Sequence, residues 1–273
     1  YPIFRSESKE NLARILGHEE NVHLHNLVVD LNSGKKEAFR AGHEAKHAEN
    51  YRINSFHLGE GSSKQKFRAN MDAIYTLKTL ENQHRDATPE EQETLANYVG
   101  WGGLADAFDA EKTAWTGEYK ELKAALTEEE YAAARASTLN AHYTSPTVIR
   151  AIYEALDGMG FEKGNILEPS MGVGNFFGML PDSMLGSRLY GVELDSITGR
   201  IAQKLYPQAE IKVAGFETTD RRDFYDLAVG NVPFGNYRVS DKPYDKLGFS
   251  IHNYFFAKAL DQVRPGGIVA FVT

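Results

Sequence analysis

The 273-residue chain has no cysteine, so neither a disulfide framework nor a thiolate metal site is available to it. It has no apolar run near the ~20 residues that a membrane-spanning helix needs. No charged-then-apolar segment near its start reads as a secretion signal. Excess positive charge is missing as well: 30 Lys and Arg face 38 Asp and Glu, for a formal net charge of -8. That balance argues against phosphate contact over the whole surface, although one basic cleft, or duplex binding by another domain, is compatible with it. The absence of signal and span fits a cytoplasmic protein with no membrane partner.

What is present is ordinary for a globular protein: 42% hydrophobic and 25% charged residues, enough for one large domain or one domain plus an extension. The chain starts without Met and stops at Gly266-Gly267-Ile268-Val269-Ala270-Phe271-Val272-Thr273, a Gly turn followed by a buried strand. The expectation is a fragment of a larger polypeptide.

Three regions follow from patterning. Residues 1–61 are polar, His-rich and weakly periodic, an amino-terminal extension. Residues 62–137 are mainly helical. Over 62–81, Phe67, Met71, Ile74 and Leu77 share one face, with Lys64, Lys66, Arg68 and Lys78 elsewhere; a packed helix with a solvated basic face is favoured over a phosphate-contacting one. Thr88-Pro89-Glu90-Glu91 has the form of a capping box opening a helix to Val99, and Thr127 to Glu130 repeats it for a helix through Ala136. Trp101-Gly102-Gly103 forms a tight aromatic turn between them.

Residues 138–273 change character. Short apolar strands over 164–168, 188–194, 209–215, 225–230 and 268–272 alternate with helices over 197–205 and 251–263. The pattern predicts an α/β fold with a doubly wound, mostly parallel sheet, ending after its fifth strand. Ligands in such sheets bind beyond the carboxyl ends of the strands.

The first strand runs into Glu168-Pro169-Ser170-Met171-Gly172-Val173-Gly174-Asn175-Phe176. Gly172 and Gly174 let the backbone approach a ligand, and Glu193, closing the next strand, can accept both ribose hydroxyls of a nucleoside. Together they point to an adenosine-containing cofactor. A dinucleotide fingerprint would place a third Gly at position 177, which is Phe177; the faces of Phe176 and Phe177 suit a cationic sulfonium better than a pyrophosphate.

The fourth strand ends in Asn231-Val232-Pro233-Phe234. Here the chain resembles the amino-group DNA methyltransferases, whose signature is Asn/Asp-Pro-Pro-Tyr/Phe. The resemblance covers about 130 residues: His142-Tyr143-Thr144-Ser145-Pro146, the loop from Leu167 to Phe176, the segment Tyr190 to Asp195 with Glu193 and Leu194, and Asp226 to Phe234. The motif order resembles the gamma arrangement of adenine methyltransferases. Tyr98 to Gly103 and Asn231 to Tyr237 also resemble large helicase–methyltransferase polypeptides of bacterial mobile elements.

The resemblance implies a Rossmann-like fold, S-adenosyl-L-methionine as cofactor, DNA as substrate, and transfer to the N6 amine of a flipped-out adenine. It implies target-recognition and helicase domains elsewhere in a larger bacterial polypeptide. Asn231 and the carbonyl of residue 232 would accept the amino hydrogens, and Phe234 would stack on the base. Tyr143, Thr144 and Phe216 would join the cofactor site. Ser145-Pro146 also reads as an N-cap with Pro at N1.

Two positions depart from the pattern. Val232 replaces the first Pro, freeing one φ angle and adding an N–H. Gly215 stands where many relatives carry an acid before the Phe, which leaves Glu217 as the alternative carboxylate. A protein-glutamine methyltransferase, with a similar motif and a helical amino-terminal domain, is the second reading; Phe234 and the Thr-Ser-Pro motif tilt against it. A non-catalytic docking module is the third.

His43-Glu44-Ala45-Lys46-His47 fits the zinc-protease spacing. Asn50 and Ile53 stand where one protease class needs Gly and a third His, and the segment has no apolar face, so a solvated helix is preferred. Arg238, Lys242, Tyr244 and Lys246 read equally as a solvated loop or a nucleotide contact.

Overall fold

The structure, a computed structural model, describes residues 48–53, 59–138, 144–235 and 237–273. The His43 to His47 motif and Tyr143 therefore lie outside the described residues. Among the described residues, no helix is long and apolar enough to cross a membrane.

Five strands form one parallel sheet: β1 (Asn165–Glu168), β2 (Arg188–Glu193), β3 (Glu210–Val213), β4 (Tyr225–Asn231) and β5 (Val263–Val272), in the order β3-β2-β1-β4-β5. The order reverses between β1 and β4, as in a doubly wound α/β fold. β1 is the hinge of the arrangement, pairing with β2 on one side (Leu167 opposite Tyr190) and with β4 on the other (Leu167 opposite Ala228). Its Ile166 and Leu167 are fully buried, as a strand covered on both faces must be.

The described residues form eight α-helices. α1 (Ser63–Asn82), α2 (Pro89–Ala96), α3 (Thr116–Ala125) and α4 (Glu128–Ser137) make up the amino-terminal layer, and α7 (Ser196–Leu205) and α8 (Ile251–Gln262) flank the sheet. Two others lie between, α5 (Pro146–Gly158) and the single turn α6 (Asn175–Gly178). Ser145 caps α5, its hydroxyl accepting from the Val148 N–H, with Pro146 at N1. Capping boxes close at Thr88 with Glu91 and at Thr127 with Glu130, where side chains satisfy amides that the first turn leaves without partners.

Several boundaries shift by one or two residues from the sequence reading, and two differ by more. α2 stops at Ala96, not Val99, because Gly100 takes a positive φ of 67° and the chain must turn there. β5 starts at Val263, five residues before Ile268. Tyr225 pairs with Val263 and Leu227 with Ile268, a register shift across which Gly266 takes a positive φ of 82°, so the predicted Gly turn is present as a bulge within the strand.

The apolar faces of the helical layer and of the sheet share one core. Phe67, Met71, Ile74 and Leu77 are buried in the same cluster as Ile166, Ile201 and Leu227. Inside the layer, Trp101 packs edge-on to Phe108 at 5.2 Å and to Tyr98 at 6.4 Å. The basic face of α1 is occupied: Lys64 pairs with Glu118, Arg68 with Glu121 and Lys78 with Glu130. These contacts favour the packed helix over a phosphate-binding one.

Asn70, fully buried, fixes the turn after α2. Its amide donates to the Gly100 carbonyl at 2.6 Å and its carbonyl accepts from the Val99 N–H at 2.8 Å. Asn70→Ala leaves two buried backbone groups unpaired. We expect a loss of about 1–3 kcal/mol, read as a lower urea midpoint at constant slope. An unchanged midpoint would show that the turn holds itself.

Candidate active site

The turn after β1 is built by local backbone geometry. Gly172 and Gly174 adopt φ of 57° and 85°, a region that side chains rarely enter. The Gly174 amide returns to the Met171 carbonyl at 2.8 Å, and the Met171 amide reaches the Val192 carbonyl of β2 at 3.0 Å. The loop is thereby drawn toward the end of β2. There Glu193 accepts from the Gly172 N–H and from the Asp195 N–H, both at 2.8 Å. Asp195 in turn caps α7 through the Thr198 N–H at 2.8 Å.

On the other side of β1, the Ser170 hydroxyl donates to the Asn231 carbonyl at 2.8 Å. That bond fastens the β1 turn to the end of β4. The added N–H of Val232 donates to the Val272 carbonyl at 3.4 Å, and the Val232 side chain is buried. Pairing with β5 thus takes up the group that a proline would have lacked.

A cavity of about 490 Å³ opens at this junction. Thr144 reaches it from just before α5, Glu168, Pro169, Ser170 and Gly172 from the end of β1 and its turn, and Asn175 and Phe176 from α6. Glu193 and Leu194 reach it from β2, Phe216 from the turn after β3, and Asn231, Val232, Pro233 and Phe234 from β4. Gly174 is not in the lining. Its conformation starts α6, and a Cβ there would meet the Tyr206 ring at 2.5 Å. Phe177 also turns away, packing edge-on to Tyr206 at 5.8 Å, so only Phe176 offers a surface to the cavity.

The sequence reading did not place the helical layer at the site. Tyr98, Gly100, Ala133, Ala136 and Ser137 nonetheless form part of the wall. The Tyr98 to Gly103 phrase was the one available signal; two alanines on a helix carry none. Glu217 also lines the cavity. Its carboxylate folds back over Gly215 and fills the space that a side chain at 215 would occupy.

Charge gives the cavity its character. Glu168, Glu193, Asp195 and Glu217 line it, and among the described lining residues there is no Lys or Arg. Glu168 is buried, with Oε2 lacking a hydrogen-bond partner among the described residues; burial, then the neighbouring Glu193 charge, holds its carboxyl well above the usual range. Burial pushes Glu193 up to about 7, against the opposing pull of the two amides it accepts from. Such a site penalises phosphates and favours a cationic ligand that would bring counter-charge to the acids.

The loop after Phe234 is anchored from below. Buried Asp241 accepts from Lys258 at 2.6 Å and from the Tyr254 hydroxyl at 2.7 Å. Tyr244 is turned inward, its hydroxyl on Asp261 at 2.7 Å, whereas Arg238, Lys242 and Lys246 are exposed. Phe234 is 37% exposed at the cavity rim.

No family model matches the chain. It is 29% identical over 221 residues to the defense against restriction protein B of Escherichia phage P1, a match covering 78% of this chain and 8% of the phage protein. It is 34% identical over 92 residues to the type II methyltransferase M.CvrRI of Paramecium bursaria Chlorella virus XZ-6E, covering 34% of this chain and 24% of the viral one. A solved structure from Listeria monocytogenes, assigned to the class I S-adenosylmethionine-dependent methyltransferases, superposes with a TM-score of 0.39 at 13% identity, over 76% of this chain and 73% of the other. The chain thus spans only a small part of the curated relatives that it matches.

The raised Glu193 has a consequence for folding. Its folded pKa of about 7 lies above the ~4.3 of an unfolded Glu, so the folded state binds the extra proton between those values. Stability from this group is present at low pH and is lost as pH rises toward 7. Glu193→Gln should therefore flatten the fall in unfolding midpoint between pH 5 and 8 relative to the parent. Equal slopes in the two proteins would refute the assignment.

Proposed function

We propose that the cavity binds S-adenosyl-L-methionine and that the chain is the core of a methyltransferase acting on the N6 amine of adenine in DNA. The observation that carries this reading is the convergence of Asn231 and the acid-lined β1–β2 turn on one cavity, with Ser170 bonded to the Asn231 carbonyl. The donor set fits the cofactor. Glu193 suits the ribose, Phe216 with Glu217 the adenine, and Glu168 and Thr144 the amino-acid end. When bound, the cofactor supplies a methyl group on a cationic sulfonium, a leaving group that needs no strong base at the acceptor.

The remaining work is positioning. An adenine amine is a poor nucleophile because its lone pair is delocalised into the ring. In this reading the Asn231 side-chain carbonyl accepts one amino hydrogen and the Val232 backbone carbonyl the other, favouring a pyramidal nitrogen. Phe234, at the rim, stacks on a base taken out of the duplex. Duplex binding and target recognition are assigned to other parts of a larger polypeptide. The similarity to a type II methyltransferase supports DNA over protein as substrate, and the net charge of -8 supports delegating duplex contact.

Incubation of the full-length protein with methyl-labelled cofactor, DNA and cell-extract protein tests this. Label should appear in DNA adenine, and Asn231→Ala should reduce it by at least about a hundredfold while cofactor affinity changes little. Label confined to protein would support glutamine methylation instead. Cofactor binding without transfer to either would leave a docking module.

A further inference from the structure

The cavity has two walls, which the Tyr98 hydroxyl on Thr198 and the Gln92 amide on the Leu205 carbonyl at 3.2 Å help to tie together. One is the start of α7, with Asp195 and Thr198; the other is the helical layer, with Tyr98, Ala133, Ala136 and Ser137. The α4 part of the second wall is weakly anchored by apolar contact, since α4 buries only Tyr131 and Ala134. Tyr131 packs tilted against Phe108 at 5.3 Å and its hydroxyl donates to the Phe108 carbonyl at 3.3 Å, and charges add to these contacts. Glu130, whose side chain is 10% exposed, accepts from the Thr127 N–H at 3.0 Å, pairs with Lys78 of α1 at 3.0 Å, and pairs with Arg200 of α7. The other arm of Arg200 holds Glu81 of α1 at 3.0 Å.

We propose that Glu130 and Arg200 are positioning residues for cofactor binding: their ion pair holds the α4 wall against α7 and thereby sets the affinity of the cavity. The inference rests on the reading above that the cavity takes S-adenosyl-L-methionine. The physical reason is the short range of dispersion. A gap of about 0.5–1 Å on one side of a ligand forfeits a quarter to a half of each contact there. Ala133 and Ala136 are too short to follow a ligand if the helix retreats. A partly buried, four-member network with two-pronged geometry also resists displacement more than an isolated surface pair does.

Calorimetric titration of the full chain with S-adenosyl-L-homocysteine, well below each protein's unfolding temperature, tests the proposal. Glu130→Gln keeps the capping box, because Gln serves at N3, but removes the charge facing Lys78 and Arg200. Arg200→Lys keeps the charge but cannot span Glu81 and Glu130 together. Both should weaken binding, Glu130→Gln by roughly tenfold and Arg200→Lys by less. Turnover at saturating cofactor should be retained, so that KM rises and kcat does not fall.

A lowered unfolding temperature with Kd within twofold of the parent in both variants would overturn the proposal and leave the network a structural role only. If Glu130→Gln does not fold, Arg200→Lys decides alone by the same criterion. A parent protein that binds no S-adenosyl-L-homocysteine would overturn the cofactor reading together with this one. A parent that binds, with unchanged variants, overturns this one only.

Discussion

β1 pairs in parallel with β2 on one side and with β4 on the other, and the candidate site follows from that double pairing. Parallel strands deliver all their carboxyl ends to one edge of the sheet. Because the order reverses at β1, the loops after β1 and β4 leave toward opposite faces and open a crevice. The loop after β1 is the one segment able to touch both neighbours, and it does so: Gly172 reaches Glu193 on β2, and Ser170 reaches Asn231 on β4. A group at the end of β2 and a group at the end of β4, 38 residues apart in the chain, are thereby held by a single turn.

The acids around that turn are costly while the cavity is filled with water or nothing charged. Glu168 and Glu193 are pushed toward their neutral forms by burial, and no lining Lys or Arg offsets them among the described residues. A positively charged ligand would relieve the cost, through the same desolvation that destabilises the fold at higher pH. The charges that do find partners lie outside the cavity, in the Lys78–Glu130–Arg200–Glu81 network and the Asp241–Lys258 pair.

Both departures from the motif are absorbed by neighbours. The N–H that Val232 adds is taken by β5, and its side chain by the second apolar cluster beside Phe216 and Phe255. The carboxylate missing at Gly215 is replaced in space by Glu217 from two residues on. A side chain at 215 would displace that carboxylate, the movable end of a flexible side chain.

Much was legible in order and type: the five strands, the two capping boxes, the turn at Gly172, and the residues that line the cavity from β1, β2 and β4. These rest on local physics, where a strand's apolar run, a cap's hydroxyl or a positive φ is decided within a few residues. Legibility failed where distant segments choose. The Gly266-Gly267 pair does turn the chain, with Gly266 at a φ of 82°, but as a bulge between two segments that both pair with β4. Phe176 and Phe177 are equivalent in sequence, but Tyr206 claims one and the cavity keeps the other. Glu130 reads as a helix cap and is also the partner of Lys78 and Arg200. The sequence by itself determined the elements and the residue types set at the strand ends, because both follow from neighbouring residues. Only the tertiary structure decided that the helical layer walls the cavity and that Glu193, Ser170 and Asn231 share one turn, because packing and long-range pairing have no local signature.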